Sequence, residues 1–301
     1  MSFDLYFAGA RNKIADDYLL QHCANRLQSQ LLDRNNILTW VLNKSDKSKL
    51  FIDSGAYSAY TQGTVISVDR YISYLNSITS KCTIFAQLDT IPGQMGKPKT
   101  VEERLNAPRL SWENYLYMRA KLREPKKLIP IFHQGEDYNW LWNMLEWTDE
   151  NREHIPYIGI SPAVDVPGLE EFLTKSFDII SKSSNPKVKT HAFGMTQLTM
   201  LELYPYTSAD STSWKLSAAM GSIYTPYGVV YVSERGSGDK SYVKNNLYAY
   251  EKLVDYLDSC GYTFEDVAKY DWARYIVNIK YLMDWAENYK FKGGVKRKKL
   301  F

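Results

Sequence analysis

Six short segments of this sequence end in polar or glycine-rich groups that could do chemistry together. "FIDSGAY" ends on Asp53-Ser54-Gly55, and "FAQLDTIPG" carries Asp89. "IPIFHQGED" carries His133-Gln134-Gly135, "YIGISPA" carries Gly159-Ile160-Ser161, and "THAFGMT" carries Phe193-Gly194. "YTSADSTSW" sets Asp210 among Ser208, Ser211, Thr212 and Ser213. Each has a plain explanation when taken singly. An Asp after a strand is commonly a helix cap or a turn residue. A Gly there is commonly turn geometry. A single His133 reads as a hydrogen-bonded structural residue. Jointly, three acids, a Gln and several glycines at strand ends suggest one site.

Carboxylates without a histidine ligand set suit attack at an anomeric carbon. One acid can act as the nucleophile and form a covalent glycosyl intermediate through an oxocarbenium-like transition state. A second acid must then manage the proton of the leaving group. A flat heterocyclic leaving group also needs aromatic faces and in-plane hydrogen bonds. Tyr57, Phe193, Asp89, Gln134 and the Gly159 backbone are candidates for those. A divalent-metal site built from Asp53, Asp89 and Asp210, as in a metal-dependent hydrolase, is the rival reading of the same acids.

Only a fold that gathers strand ends can bring these residues together. Short β-type runs alternate with helical patterns along the chain. The expected strands are 4–9, 37–42 ("ILTWVL"), 50–55, 83–89, 128–134, 157–161, 190–195 and 206–210. Helical periodicity covers 14–32, 68–80, 100–123, 137–148 and 167–182, with Ser67 as an N-cap. Eight strands with helical connections predict an α/β fold, a (β/α)8 barrel, whose strand C-termini share one face. The strand count has one ambiguity, because "GVVYVSE" (228–234) could replace "ILTWVL". Two further helices, 241–258 and 263–289, are expected to pack on the barrel exterior. The expected division is a barrel over 1–235, helices over 236–289 and a basic tail over 290–301.

The bulk composition agrees with one large domain. The chain has 301 residues, of which 45% are hydrophobic, enough for a sizeable core. Three cysteines without C-x-x-C spacing argue against a disulfide framework or a cysteine-rich zinc site, and point to a reducing cytoplasm. "MSFDLYFAGARNK" has no charged segment ahead of an apolar run, so it is not expected to be a signal peptide. No apolar run approaches the roughly 20 residues of a membrane helix, and no membrane partner is expected. The net charge of +3 is unevenly placed. Six bases lie within 290–301, among them Lys296, Arg297, Lys298 and Lys299. Without them, 31 of the 37 bases remain against 34 acids. The tail is a candidate arm for nucleic-acid phosphates, although a solvated terminus is the plainer reading.

In order and spacing, the six segments resemble the motifs of the tRNA-guanine transglycosylase superfamily. That family carries D-S-G-G-[FY]-Q, an Asp in a D-E-x-P-like segment, V-Q-G-G, I-G-G, M-G-x-G and a late F-D-[CS]. The corresponding stretches are "DSGAY" (53–57), "QLDTIP" (87–92), "FHQGED" (132–137), "YIGIS" (157–161), "HAFGM" (191–195) and "SADSTS" (208–213). The resemblance spans about residues 37–215. It implies that Asp210 is the nucleophile at C1′ of a guanosine and that Asp53 is the general acid or base. It implies that Asp89, Gln134 and the Gly159–Ile160 backbone read the base. Tyr57 and Phe193 would sandwich it, and Ser54, Gly55, Gly135 and Gly194 would complete the pocket.

Ala56 replaces the second Gly of the first motif, Ser58 its Gln, and Ala209 the Phe before the nucleophile. The family's zinc cluster has no counterpart. In these respects the chain is most similar to the compact branch of phages and genomic islands that puts 7-deazaguanine bases into DNA. The implied reaction replaces guanine with a 7-deazaguanine such as preQ0 in DNA, without cofactor or metal, in the cytoplasm (the host's, if phage-encoded). A homodimer is compatible with it. The same exchange on tRNA, and a non-catalytic nucleic-acid-binding member, are the alternatives.

Overall fold

The computed structural model describes residues 3–9, 12–163, 166–195, 197–234 and 247–293. Nine parallel strands form its main sheet: β1 (Asp4–Ala8), β2 (Asn25–Ser29), β3 (Leu50–Asp53), β4 (Ile84–Ala86), β5 (Leu128–Ile129), β6 (Ile131–His133), β7 (Tyr157–Ser161), β8 (Lys189–Ala192) and β9 (Ser208–Ser211). Their order is β5-β4-β3-β2-β1-β9-β8-β7-β6. The two ends of that order, β5 and β6, are separated in the chain only by Pro130. Proline has no N–H to give to a ladder. Its carbonyl still accepts from Gly159 N–H at 2.8 Å, while the Ile129 carbonyl accepts from Gln87 N–H at 3.1 Å. Residues 128–133 therefore act as one stave bonded on both sides. The sheet closes into the eight staves of a (β/α)8 barrel, as the sequence predicts.

Helices α1 (Lys13–Gln21), α2 (Gln30–Asn43), α3 (Ala56–Gln62), α4 (Val68–Ile78), α5 (Val101–Lys121), α6 (Tyr138–Glu146), α7 (Leu169–Lys182), α8 (Leu198–Leu203) and α9 (Ser213–Ala219) surround it. Alternation along each strand sorts side chains between two cores. Leu5, Phe7, Leu50, Ile52, Phe85, Phe132, Ile158, Ile160 and Ala209 face the helices. Tyr6, Ala8, Leu27, Phe51, Ile84, Ala86, Ile129 and Ile131 fill the barrel bore. Ser67 caps α4 as expected, its Oγ accepting from Arg70 N–H.

Two elements differ from the sequence reading. "ILTWVL" is not a strand but the second half of α2. Ile37 and Trp40 are buried one helical turn apart, whereas Leu42 is 83% exposed. That is a period near 3.6, which a six-residue apolar run does not distinguish from a strand. The missing stave is β2, "NRLQS", inside the stretch read as helix 14–32. Its polar residues disguise it. Arg26 points outward beneath α1 and α2, where it pairs with Asp16 and lies 4.7 Å over the Trp40 ring. "GVVYVSE" does not enter the barrel either. Strands β10 (Ser222–Thr225) and β11 (Gly228–Tyr231) form a separate antiparallel hairpin.

The hairpin packs with α10 (Leu247–Cys260), α11 (Phe264–Lys269) and α12 (Asp271–Glu287). Ile223, Val232, Leu253, Leu257, Val267, Ala273 and Val277 make a small core of their own. The hairpin thus belongs with the C-terminal helices, although it lies within the 1–235 span expected for the barrel. The first residues of the expected 241–258 helix lie outside the described residues. Helix α12 joins both units, since its Tyr275, Ile279 and Leu282 reach the main core. Fully buried Asn278 fixes the junction. Its Oδ1 accepts from Tyr224 N–H at 2.7 Å, and its Nδ2 donates to the carbonyls of Trp214 (2.9 Å) and Ser222 (3.3 Å). Trp214 in turn donates from Nε1 to the Ala8 carbonyl at 3.2 Å, at the end of β1. Asn278→Ala removes three hydrogen bonds and strands buried partners. It is expected to cost about 2–3 kcal/mol in urea unfolding.

Candidate active site

The strand C-termini carry the three acids to one mouth of the barrel. Because Ala209 faces the helices, Asp210 must face the bore. The residue is only 8% exposed. Its Oδ1 accepts from the backbone N–H of Gly194 at 2.9 Å and lies 3.3 Å from Nε2 of His191. Gly194 reaches it through a left-handed backbone, φ +58°. The hydroxyls around Asp210 divide by the same alternation. Ser208 Oγ, also inward, bonds His191 Nδ1 and the Tyr157 hydroxyl, each at 2.5 Å. Ser211 Oγ instead accepts from Ser213 N–H at 3.1 Å and opens α9.

Asp53 ends β3 and accepts from Gly55 N–H at 3.0 Å. Gly55 has φ +81°, and a Cβ there would lie 2.6 Å from Leu31 Cβ. Only glycine fits this turn, which holds the acid in place. Burial pushes the Asp53 carboxyl up to about 7. The Gly55 N–H opposes that rise, while the charges of Asp210 and Asp89 add to it. Ser54 is buried, and its Oγ accepts from Ala56 N–H at 3.3 Å.

Asp89 follows β4 on a loop tied to α5. Asn114 donates to the Leu88 carbonyl at 3.0 Å, and Ser111 Oγ accepts from Thr90 N–H at 2.9 Å. The carboxylate takes a bond from Gln87 Nε2 on Oδ1 and faces His133 Nε2 at 3.3 Å on Oδ2. The other His133 nitrogen, Nδ1, lies 3.0 Å from Glu136 Oε1. Gly135, at φ +97°, makes the turn that folds Glu136 back. Burial works against a charge on His133, but Asp89 and Glu136 outweigh it and hold the imidazole well above its ordinary value. The two carboxylates, one at each ring nitrogen, favour the protonated ring, which donates from both nitrogens.

On this stave the structure corrects the expected role of Gln134. Phe132 faces the helices, so His133 faces the mouth and Gln134 turns away. The Gln134 amide is committed to the loop after β7. Its Nε2 donates to the carbonyls of Val166 (3.2 Å) and Pro167 (2.9 Å), and its Oε1 accepts from Ala163 N–H (3.2 Å). Gly159 and Ile160 also differ from the base-reading role. Gly159 N–H is used by Pro130, and the Ile160 carbonyl accepts from Phe193 N–H at 3.0 Å. Gly159 acts through its size, since a Cβ there would lie 2.5 Å from the Phe193 ring. Phe193 rests on it at the mouth, edge-on to His191 at 4.6 Å and to Phe51 at 5.5 Å. Tyr57, on the first turn of α3, is 69% exposed.

The mouth thus gathers Asp53, Asp89, Asp210 and Phe193, with Tyr57 outside. Lys296, Arg297, Lys298 and Lys299 lie outside the described residues. The mouth and the bore behind it also hold His191, Tyr157 and Glu136, which no motif in the sequence marks, and Ser208, which the sequence places only as one hydroxyl among several beside Asp210. The available signal was phase: His133, Tyr157, His191 and Ser208 are each two places from another inward position, Ile131, Gly159, Phe193 and Asp210. Among the described residues, no group of three or more His, Cys, Asp or Glu side chains is arranged to hold a metal ion. Among them, too, no helix is long and apolar enough to cross a membrane. No known protein-family model matches the chain, and no curated protein is significantly similar to it in sequence.

The Asp53 carboxyl yields a test of this geometry. Folded Asp53 holds its proton more tightly than the unfolded chain, so its ionisation destabilises the fold progressively as pH rises from about 4 past 7. Asp53→Asn removes that penalty and keeps an acceptor for Gly55. Relative to the parent protein, the variant should gain about 2–4 kcal/mol of stability between pH 4 and pH 8.5, read by urea unfolding at both.

Proposed function

We propose that this protein is a base-exchange transglycosylase that replaces guanine with a 7-deazaguanine base in a polynucleotide, DNA in the first instance. The observation that carries the reading is the contrast between two neighbouring acids. Asp210 has Oδ1 held by the Gly194 N–H and facing His191 Nε2, which leaves Oδ2 as the attacking atom. Asp53, with its carboxyl near 7, can give and take a proton at neutral pH. Acids whose environments separate their roles in this way are the pattern of glycosyl transfer.

In the first half-reaction, Asp210 Oδ2 bonds to C1′ as the C1′–N9 bond breaks, and Asp53 supplies the proton that leaves with guanine. In the second, the incoming base yields its N9 proton to Asp53. Its nitrogen then bonds to C1′ as the C1′–Oδ2 bond breaks. Protons and electrons balance without a redox partner. Asp89, oriented by Gln87 and by His133, would accept from the N1–H and 2-amino group of the base. Phe193 offers a face at the mouth, and Tyr57 an exposed ring that can close over a bound base. A target inside a duplex must be flipped out or presented single-stranded. The choice of DNA rests on the resemblance to the DNA-modifying branch, whereas the basic tail suits either nucleic acid.

The test supplies labelled guanine or preQ0 with DNA and tRNA side by side. Label should enter DNA, and Asp210→Asn should lower incorporation at least about 10³-fold and abolish the covalent adduct. Normal exchange by that variant would overturn the role of Asp210, and label entering tRNA alone would reassign the substrate. His133→Ala should raise KM for the base about 10-fold or more, because it leaves Asp89 without the partner that orients it. Gln134→Ala, whose amide bonds Ala163, Val166 and Pro167, should raise it less.

A further inference from the structure

A buried polar chain runs down the bore behind Asp210. The Tyr157 hydroxyl lies 2.5 Å from Ser208 Oγ, Ser208 Oγ lies 2.5 Å from His191 Nδ1, and His191 Nε2 lies 3.3 Å from Asp210 Oδ1. Three adjacent staves contribute to it, with Tyr157 on β7, His191 on β8, and Ser208 and Asp210 on β9. His191 and Ser208 are fully buried. The imidazole plane is fixed by three rings edge-on to it: Phe193 at 4.6 Å, Phe51 at 4.7 Å and Tyr6 at 5.9 Å.

We propose that His191 is a positioning residue for Asp210, locked as the neutral Nε2–H tautomer by the Tyr157–Ser208 relay. An ionised carboxylate only accepts hydrogen bonds, so His191 Nε2 must donate to Oδ1. Nδ1 is then the bare nitrogen and accepts from the Ser208 hydroxyl. Ser208 in turn accepts from the Tyr157 hydroxyl, and every group in the chain has one consistent direction. The reverse direction sets a bare Nε2 against the carboxylate, which repels it. The groups facing the ring are Asp210, Ser208, Tyr6, Phe51 and Phe193. Burial lowers the imidazole's tendency to charge, and it outweighs the raising effect of Asp210 and, weaker still, Asp4.

The consequence for catalysis rests on the transglycosylase reading, whereas the relay itself does not. With Gly194 N–H and His191 both on Oδ1, the carboxylate does not swing. Oδ1 becomes the ester carbonyl oxygen when Oδ2 bonds to the sugar, and both donors serve it in either state. The relay therefore holds one geometry through both half-reactions.

Long-range ¹H–¹⁵N correlation of the ¹⁵N-histidine-labelled protein reads the tautomer directly, with His191→Gln assigning the signal among the four histidines. The expected result is a neutral Nε2–H ring that does not titrate between pH 5.5 and 8.5. An Nδ1–H ring, or a cation in that range, overturns the proposal. Ser208→Ala should admit the Nδ1–H form, and an unchanged tautomer in that variant overturns the role of the relay. In exchange assays, His191→Phe should lower kcat about 10²-fold with KM for the base within about 3-fold, and His191→Gln, which keeps a donor, should restore most of it. If His191→Phe does not fold, Ser208→Ala and Tyr157→Phe carry the same kcat test with smaller expected losses of about 3- to 10-fold. Equal kcat in every folded variant overturns the positioning role. If the parent protein exchanges no base at all, the transglycosylase reading fails and the tautomer measurement alone decides the relay.

Discussion

The two-residue period of a strand, imposed on a closed ring of parallel staves, governs everything at the mouth of this barrel. Closure leaves only two directions for a side chain, into the bore or out to the helices. Once Ala209 faces a helix, Asp210 has nowhere to point but inward, and Ser208 with it. The same phase on β8 brings His191 beneath Asp210, and on the stave containing Pro130 it brings His133 to Asp89. A slip of one residue on any of these staves would exchange an apolar wall for the polar one. Outside the bore, the Asn278–Trp214–Ala8 chain of hydrogen bonds keeps the start of α9 in register with the end of β1.

Three carboxylates at one mouth repel one another, and the structure resolves this unequally. Asp89 is compensated by the His133 imidazole and the Gln87 amide. Asp210 has a backbone N–H and an imidazole. Asp53 has backbone N–H groups alone against two like charges and burial, so it is the acid that keeps its proton to near neutrality. The acids thus differ in their partners, side-chain groups at Asp89 and Asp210 and backbone N–H groups at Asp53.

The fold class and the three acids were legible in the sequence because strand-end Asp residues are local signals, visible without knowing the fold. Phase was not. On residues 128–134 a proline interrupts the stave, and the apolar pattern does not reveal whether His133 or Gln134 faces the bore. A Gln amide is the more evident in-plane partner for a flat base, and only the phase of the stave shows that it points away. "ILTWVL" was read as a strand because six apolar residues fit either period, and β2 was hidden because its Arg26 is buried by a Trp and an Asp from elsewhere in the chain. His191 stands between Thr190 and Ala192, neither of which it bonds, and the relay residues Ser208 and Tyr157 lie 17 and 34 residues away in the sequence. Long-range partnership of this kind leaves no local trace.

Gly159 has a consequence beyond its own stave. The Phe193 ring occupies the space where any other residue would place its first carbon. A single methyl there would lift the ring from the wall and drive it across the opening, because the close-packed bore below offers no room to retreat. Gly159 therefore sets how closely the Phe193 ring lies against the wall beside the acids.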